Sequence, residues 1–259
     1  MLLSDLIPFL KENKNDVKIH FAHLEDALAA FITGDFKSWQ EEQNQRNFEK
    51  TYILSLIRLD SNEWLFAGIY KSFGAKEQNG WYKYRTRLED IGSEFIGRAI
   101  ITYNRGCRQP YCLLSSHLNG LEVAEIRRSS YTKPFPGYKN VDISWKMLKA
   151  VIDTDEWKRP LSDKKGVYLI TDTSNGAMYV GSATGERKIY GRWKSYIRTG
   201  HGGNAGLKRL SKKRIMNNFR YAILDVYSPE ADDSEIRQRE KWWKKILMSS
   251  KNEYGYNHN

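Results

Sequence analysis

The dipeptide Asn175-Gly176 lies between two apolar runs, Gly166 to Thr171 and Ala177 to Gly181, and few chain conformations satisfy that pattern. Asn-Gly is the pair that best tolerates the positive φ angles of a type I′ turn, so the spacing predicts a β-hairpin. With Asn175 and Gly176 as the loop, Tyr179 faces Asp172, and strand alternation puts Tyr168, Ile170, Asp172, Tyr179 and Gly181 on one face. Gly181 has no side chain, which predicts room for a close approach to the sheet there. The next segment, Tyr190 to Arg198, reads as a helix with Arg192 and Tyr196 at i and i+4 on one face, and with Trp193 and Ile197 on the adjacent apolar one. A guanidinium then stands beside several phenols. A forked, always-charged donor with hydroxyls around it suits an anionic phosphate.

Gly166-Val167-Tyr168, then Tyr179-Val180-Gly181, then Arg192 resemble the signature of the GIY-YIG nuclease superfamily, with valine in place of isoleucine in both tripeptides. Many members have His four residues after the arginine, where this chain has Tyr196. The resemblance implies two further residues, a metal-binding Glu on a later helix and a late Asn. Asp232-x-x-Glu235 reads as a capping box opening a helix, and Glu240 falls on its apolar stripe of Ile236, Trp243 and Leu247. A carboxylate there is costly unless paired or metal-bound, and an ion pair with Arg192 is the competing reading. Tyr256-Asn257 supplies the late asparagine. What the resemblance implies is a catalytic set of Tyr168, Tyr179, Arg192, Tyr196, Glu240 and Asn257. In it Glu240 holds Mg2+ or Mn2+, Arg192 neutralises the phosphate, and Tyr168 orients or deprotonates the water. Tyr179 and Tyr196 position water and phosphate, and Asn257 holds the arrangement. Which of Tyr168, Tyr196 and His201 acts as base stays open. Lys194, Arg198, His201, Asn204 and Lys244, on the flanking helices and the glycine-rich loop, are candidate nucleic-acid contacts.

The resemblance covers about residues 164–257, so the fold class expected is α+β: a small, mainly antiparallel sheet flanked by helices, preceded by a helical N-terminus and a small β-barrel-like domain. The expected domains are a helical segment over 1–50, a strand-rich target-recognition domain over 51–128, a linker and short helix over 129–160, and the nuclease domain over 161–259. In 51–128 the hydrophobic period is that of strands, separated by turn chemistry such as Gln78-Asn79-Gly80 and Asn119-Gly120. Trp64, Tyr70, Trp81 and Tyr82, with Arg85, Arg87, Arg98, Arg105 and Arg108 interleaved, suit stacking on an extruded base while arginines hold the backbone. Small barrels of the PUA or EVE type use such pockets for modified bases, and Glu63 to Lys71 faintly resembles their early strands. The competing reading is that these aromatics are core.

The chain carries a net charge of +11, concentrated late: residues 161–259 have 19 Lys and Arg against 10 Asp and Glu, whereas residues 1–50 have 6 against 9. This distribution favours a polyanion partner at the catalytic end, the competing reading being a solvated basic surface. Met1 to Leu10 is broken by Asp5 and Pro8, so neither a signal peptide nor a membrane span is expected, and the chain reads as cytoplasmic. Cys107 and Cys112 lack companion ligands and are expected to be ordinary thiols. Together these readings predict a divalent-metal-dependent endonuclease acting on DNA, of restriction or phage-defence type. The alternatives are a structure-specific repair or RNA nuclease, or a binding protein that cleaves nothing. Oligomeric state, monomer or homodimer, is not set by the sequence.

Overall fold

A computed structural model of the chain describes residues 1–104, 109–250 and 254–257. The thiol expected at Cys107 and the cations Arg105 and Arg108 lie outside the described residues. Two compact units are formed, Met1–Thr132 and Lys133–Asn259.

The N-terminal unit opens with α1 (Leu3–Leu6), α2 (Phe9–Glu12), β1 (Val17–Ala22), α3 (Glu25–Ile32), α4 (Phe36–Glu41) and β2 (Glu42–Gln43). It continues through β3 (Tyr52–Arg58), β4 (Glu63–Gln78), β5 (Trp81–Leu88), β6 (Ala99–Thr102), β7 (Tyr111–Leu113) and β8 (Glu122–Ile126). The strands form one sheet in the order β2-β5-β4-β3-β1-β7, with β6 joined to β4 and β8 to β6, curled as a half-barrel. Residues 1–50 are therefore not a separate helical segment. Their strand β1 runs parallel to β3, from Val17↔Tyr52 to Ala22↔Ile57, and all of it but Lys18 is buried. A parallel strand covered on both faces reads as a continuous apolar run, which sequence periodicity cannot tell from a buried helix. Beneath the sheet the core gathers Phe21, Leu54, Leu56, Trp64, Phe66 and Ile101 among others.

The C-terminal unit contains β9 (Asp142–Ser144), α5 (Trp145–Val151), α6 (Asp155–Asp163), β10 (Lys165–Asp172), β11 (Met178–Ala183) and α7 (Lys188–Thr199). After these come α8 (Ala205–Lys208), α9 (Lys212–Asn218), β12 (Phe219–Tyr227) and α10 (Asp233–Ile246). Its sheet has the order β11-β10-β12-β9 and is antiparallel throughout. The stretch expected as linker thus belongs to this unit from Lys133 onward: β9 pairs with β12, and Ile143, Trp145 and Leu148 are core residues. Ser144 caps α5 by accepting from the Met147 N–H at 3.2 Å.

The organising hairpin forms with a different turn. Ile170 pairs with Tyr179 and Tyr168 with Gly181, so the loop is Thr173 to Gly176 rather than Asn175-Gly176 alone. Asp172 prises it open: its carbonyl accepts from the Gly176 N–H at 2.8 Å and its carboxylate takes the Ser174 N–H at 3.0 Å. Arg214 and Tyr256 fix that carboxylate from outside, at 2.7 and 2.8 Å. The register differs from the expected one by two residues, which preserves faces, so both tyrosines still point the same way. The type I′ turn appears instead at Asn79-Gly80, where φ is 53° and 80° and Gln78 pairs with Trp81.

Candidate active site

Strand alternation sends Tyr168 and Tyr179 to the sheet face on which α7 lies, and Val167 and Val180 to the face of α10, where they pack with Ile236. Trp193 and Tyr196 of α7 are fully buried against Tyr168, with ring centroids 6.2 and 6.0 Å away. Arg192 closes the group. Its Nε donates to the Tyr168 hydroxyl at 2.9 Å, one terminal nitrogen to the Tyr196 hydroxyl at 3.2 Å, and the other to the Gly202 carbonyl at 3.0 Å. The two hydroxyls are 3.0 Å apart. Since Arg192 donates to both oxygens and one O–H donates to the other, the remaining O–H has no partner within the triangle and is left to donate to a phosphate oxygen or water. Guanidinium N–H groups are also left over.

Electrostatics fixes the protonation of this triangle. Burial pushes the Tyr168 hydroxyl far above the ordinary phenol range, with Tyr179 adding to the rise and Arg192 and Tyr196 opposing it. Burial likewise raises Tyr196 well above that range, reinforced by Tyr168 and Tyr179. For Arg192, burial works against the charge, but the adjacent Tyr168 and Tyr196 oxygens outweigh it and hold the guanidinium cationic. Both phenols are therefore donors at neutral pH, and Tyr168 in this arrangement keeps its proton rather than taking one.

Beside Arg192 opens a cavity of about 380 Å³, lined by Ser182, Ala183, Thr184 and Gly185 at the end of β11 and by Arg187, Lys188, Gly191, Arg192 and Ser195 of α7 and its approach. Its lining contains cations and no carboxylate, and it lies at the N-terminal end of a twelve-residue helix, whose dipole favours an anion. The sequence reading missed Arg187 and Lys188. Their one local signal was a basic pair opening the helix, whereas the left-handed φ of 50° at Lys188, uncommon for a non-glycine residue, belongs to the fold alone. A Cβ at Gly191 would meet that of Arg187 at 2.2 Å, so the glycine admits the arginine to the rim.

Glu240 lies on the stripe that helical periodicity assigned it. Its side chain accepts from the Ser182 hydroxyl, on the cavity wall, and pairs with Lys244 at 2.7 Å rather than with Arg192. Asn257 is buried, with its amide spanning the backbone of one residue of β11: Oδ1 accepts from the Val180 N–H at 2.9 Å and Nδ2 donates to the Val180 carbonyl at 2.8 Å. Tyr254 and Tyr256 bond the Met178 peptide in the same way. The chain end thus straps the outer edge of the strand that carries Tyr179, which also protects that edge from foreign pairing. Asn257 touches backbone and not a phosphate site.

The expected nucleic-acid contacts divide. Lys194 is tied to Asp153, Lys244 to Glu240, and Asn204 caps α8 by accepting from the Gly206 and Leu207 N–H groups. His201 accepts at Nδ1 from the Gly203 N–H at 3.0 Å, within its own loop. Arg198 is exposed and has no ion pair among the described residues. Of the expected base-reading aromatics, Trp64 and Tyr70 are buried in the N-terminal core at 2% and 5% exposure, and burial removes them from contact with any base. Trp81 and Tyr82 line a surface cavity of about 360 Å³ with Glu42, Gln78, Asn79 and Lys83. The room expected over Gly181 is filled by Tyr168 itself, whose Oη would lie 2.4 Å from a Cβ there.

A cationic cavity at a helix N-terminus, backed by protonated phenols and edged by a lone carboxylate, is the layout of a phosphodiester hydrolase domain. Residues 164–254 match the GIY-YIG catalytic domain, and through that domain the chain belongs to the GIY-YIG family of nucleases, which implies a nucleic-acid substrate. No family matches the N-terminal half. Two solved structures, one of a mutant of the catalytic domain of intron endonuclease I-TevI and one of the catalytic domain of homing endonuclease I-TevI, are 32% and 33% identical to it. They cover 37% of this chain and 94% and 99% of their own, each with a TM-score of 0.30. No curated protein matches the chain. Among the described residues no helix is long and apolar enough to cross a membrane.

Proposed function

We propose that the chain is a divalent-metal-dependent endonuclease of restriction or defence type, cleaving DNA whose choice is made by the N-terminal unit. The observation that carries the chemistry is the cavity of Arg187, Lys188 and Arg192 with the Glu240–Ser182 pair at its wall. Among the described residues no group of three or more His, Cys, Asp or Glu is gathered. A single carboxylate beside a hydroxyl, oxygen donors only, fits a hard cation that keeps most of its ligands as water and phosphate, which suits Mg2+ or Mn2+. Lys244 on the same carboxylate shows the position already compensated by a positive charge. When bound, the ion supplies Lewis-acid relief of the phosphate and of the departing oxygen.

The chain's own residues do the rest. Arg192 presents its remaining N–H groups to the phosphate, and Arg187 and Lys188 add charge at the rim. The free O–H of the Tyr168–Tyr196 pair donates to a phosphate oxygen or holds the attacking water in line. Asn257 keeps β11, and with it Tyr179, in register. The test is digestion of a panel of unmodified and modified duplex, single-stranded, branched and RNA substrates, with Mg2+, Mn2+ or chelator, by wild type and Glu240→Ala. Expected are cleavage of DNA that chelator abolishes, and binding without cleavage by Glu240→Ala. Inertness toward every substrate with either ion sinks the proposal.

A further inference from the structure

We propose that the arm formed by β4 and β5 in the N-terminal unit binds an unpaired nucleic-acid strand, with Phe73 stacked on a base and Lys71, Arg85 and Arg87 on the flanking phosphates. Between Ser72 and Ala75 the register with β5 shifts, and Gly74 takes φ +84°. This bulge turns Phe73 outward, leaving it 43% exposed. Around its ring stand Arg85 at 5.2 Å, Arg87 at 5.6 Å and Lys71 at 6.0 Å from the centroid. On β5, Trp81, Lys83, Arg85 and Arg87 are all exposed, while Tyr84 and Thr86 between them are buried.

The nearby carboxylates are Glu89, 2.9 Å from Arg87, Glu42, paired across from Lys83, and Glu77, next to Lys76 on β4 and paired across from Tyr82. Lys71, Lys76, Lys83 and Arg85 have no ion pair among the described residues. Cations gathered on one strand face repel each other until an anion arrives, so the patch calls for a polyanion. The ring narrows the choice. A duplex hides its base faces and an acidic peptide has none, so either would use the cations and leave Phe73 idle, whereas an unpaired base offers a π-face between phosphates. This deepens the target-selection reading above and rests on it for the identity of the polymer.

The test uses the full chain in chelator, so that binding is read without cleavage, by fluorescence anisotropy of labelled oligothymidylate, oligouridylate and blunt duplex of about 15 nucleotides. Phe73→Ala should weaken single-strand binding by about tenfold and leave duplex binding nearly unchanged. Lys71→Gln with Arg85→Gln should flatten the single-strand salt dependence by about 1.4 in log–log slope. The two homopolymers separate DNA from RNA. Wild-type single-strand binding by Phe73→Ala, or equal loss on duplex and single strand, overturns the proposal. A chain that cleaves nothing but shows the selective loss keeps the proposal and loses the nuclease reading; one that cleaves without that loss does the reverse.

Discussion

Gly181 is set by what stands over it. A Cβ there would lie 2.4 Å from the Tyr168 hydroxyl oxygen and 2.9 Å from a Tyr179 ring carbon, so the glycine of the second tripeptide makes room for the tyrosine of the first. Gly202 does the same for Tyr196, with 2.5 Å to its ring and φ of +57°. Gly181→Ala should therefore cost about 1–3 kcal/mol by overpacking and lower cleavage by about tenfold or more as Tyr168 is pushed off Arg192. Urea denaturation and single-turnover cleavage read the two effects, and an unchanged rate would mean that the Tyr168 position is not critical. Tyr168→Phe removes only the hydroxyl and should slow cleavage by about 10²–10⁴-fold. Because burial keeps both hydroxyls protonated, the wild-type rate between about pH 6 and 9 should show no inflection that Tyr168→Phe abolishes. Such an inflection would restore Tyr168 as base.

At the scale of elements, β1 and the chain end each hang on one polar residue in an apolar place. His20 of β1 is buried between the rings of Trp39 and Tyr111, its Nδ1 3.0 Å from the Gln40 side-chain oxygen, which the Ser55 hydroxyl also reaches. Burial lowers its pKa to about 4, with His23 adding to the fall and the Gln40 bond opposing it. The unfolded chain takes up the proton near about pH 6.5 while the fold refuses it until about pH 4. The stabilisation is thus whole above about pH 6.5 and is lost as pH falls through that window, by roughly 3 kcal/mol at most. Urea melts at pH 7 and pH 5 should separate for wild type and converge for His20→Phe; equal separation in the variant would clear His20 of the effect. At the chain end, Asn257→Ala leaves the buried Val180 peptide unpaired and should cost about 1–3 kcal/mol, with cleavage falling as β11 loosens. A variant cutting at the wild-type rate would show the strap to be structural only.

On the scale of the whole molecule, each unit has its own sheet and core, and the nuclease residues all lie after Lys133. A fragment of residues 133–259 should therefore fold, retain weak cleavage and lose target choice. Retention of the full chain's substrate preference by that fragment would remove the N-terminal unit as reader. The charge distribution points the same way. With the basic excess concentrated in 161–259, the fragment should keep most of the steep salt dependence of binding, and a flat dependence would place the polyanion contacts elsewhere.

The order of the tripeptides, Arg192, Glu240 and Asn257 was legible because each element around them is short-range: a hairpin, a helix with i and i+4 neighbours, a capped helix with one stripe. Local periodicity therefore gave the side of the sheet that each tyrosine faces. What it could not give were contacts made by residues distant in sequence. The hairpin's turn is decided by Arg214 and Tyr256 on Asp172, more than forty residues away, and the partner of Glu240 by where β11 ends. Strand β1 was hidden because both of its faces are covered, a condition set by β3, β7 and the packing around them and not by its own six residues. Aromatic residues were the hardest to place: Trp64 and Phe73 sit in one strand, but the first lies where β4 crosses the core and the second where it has run past the core and bulges into water.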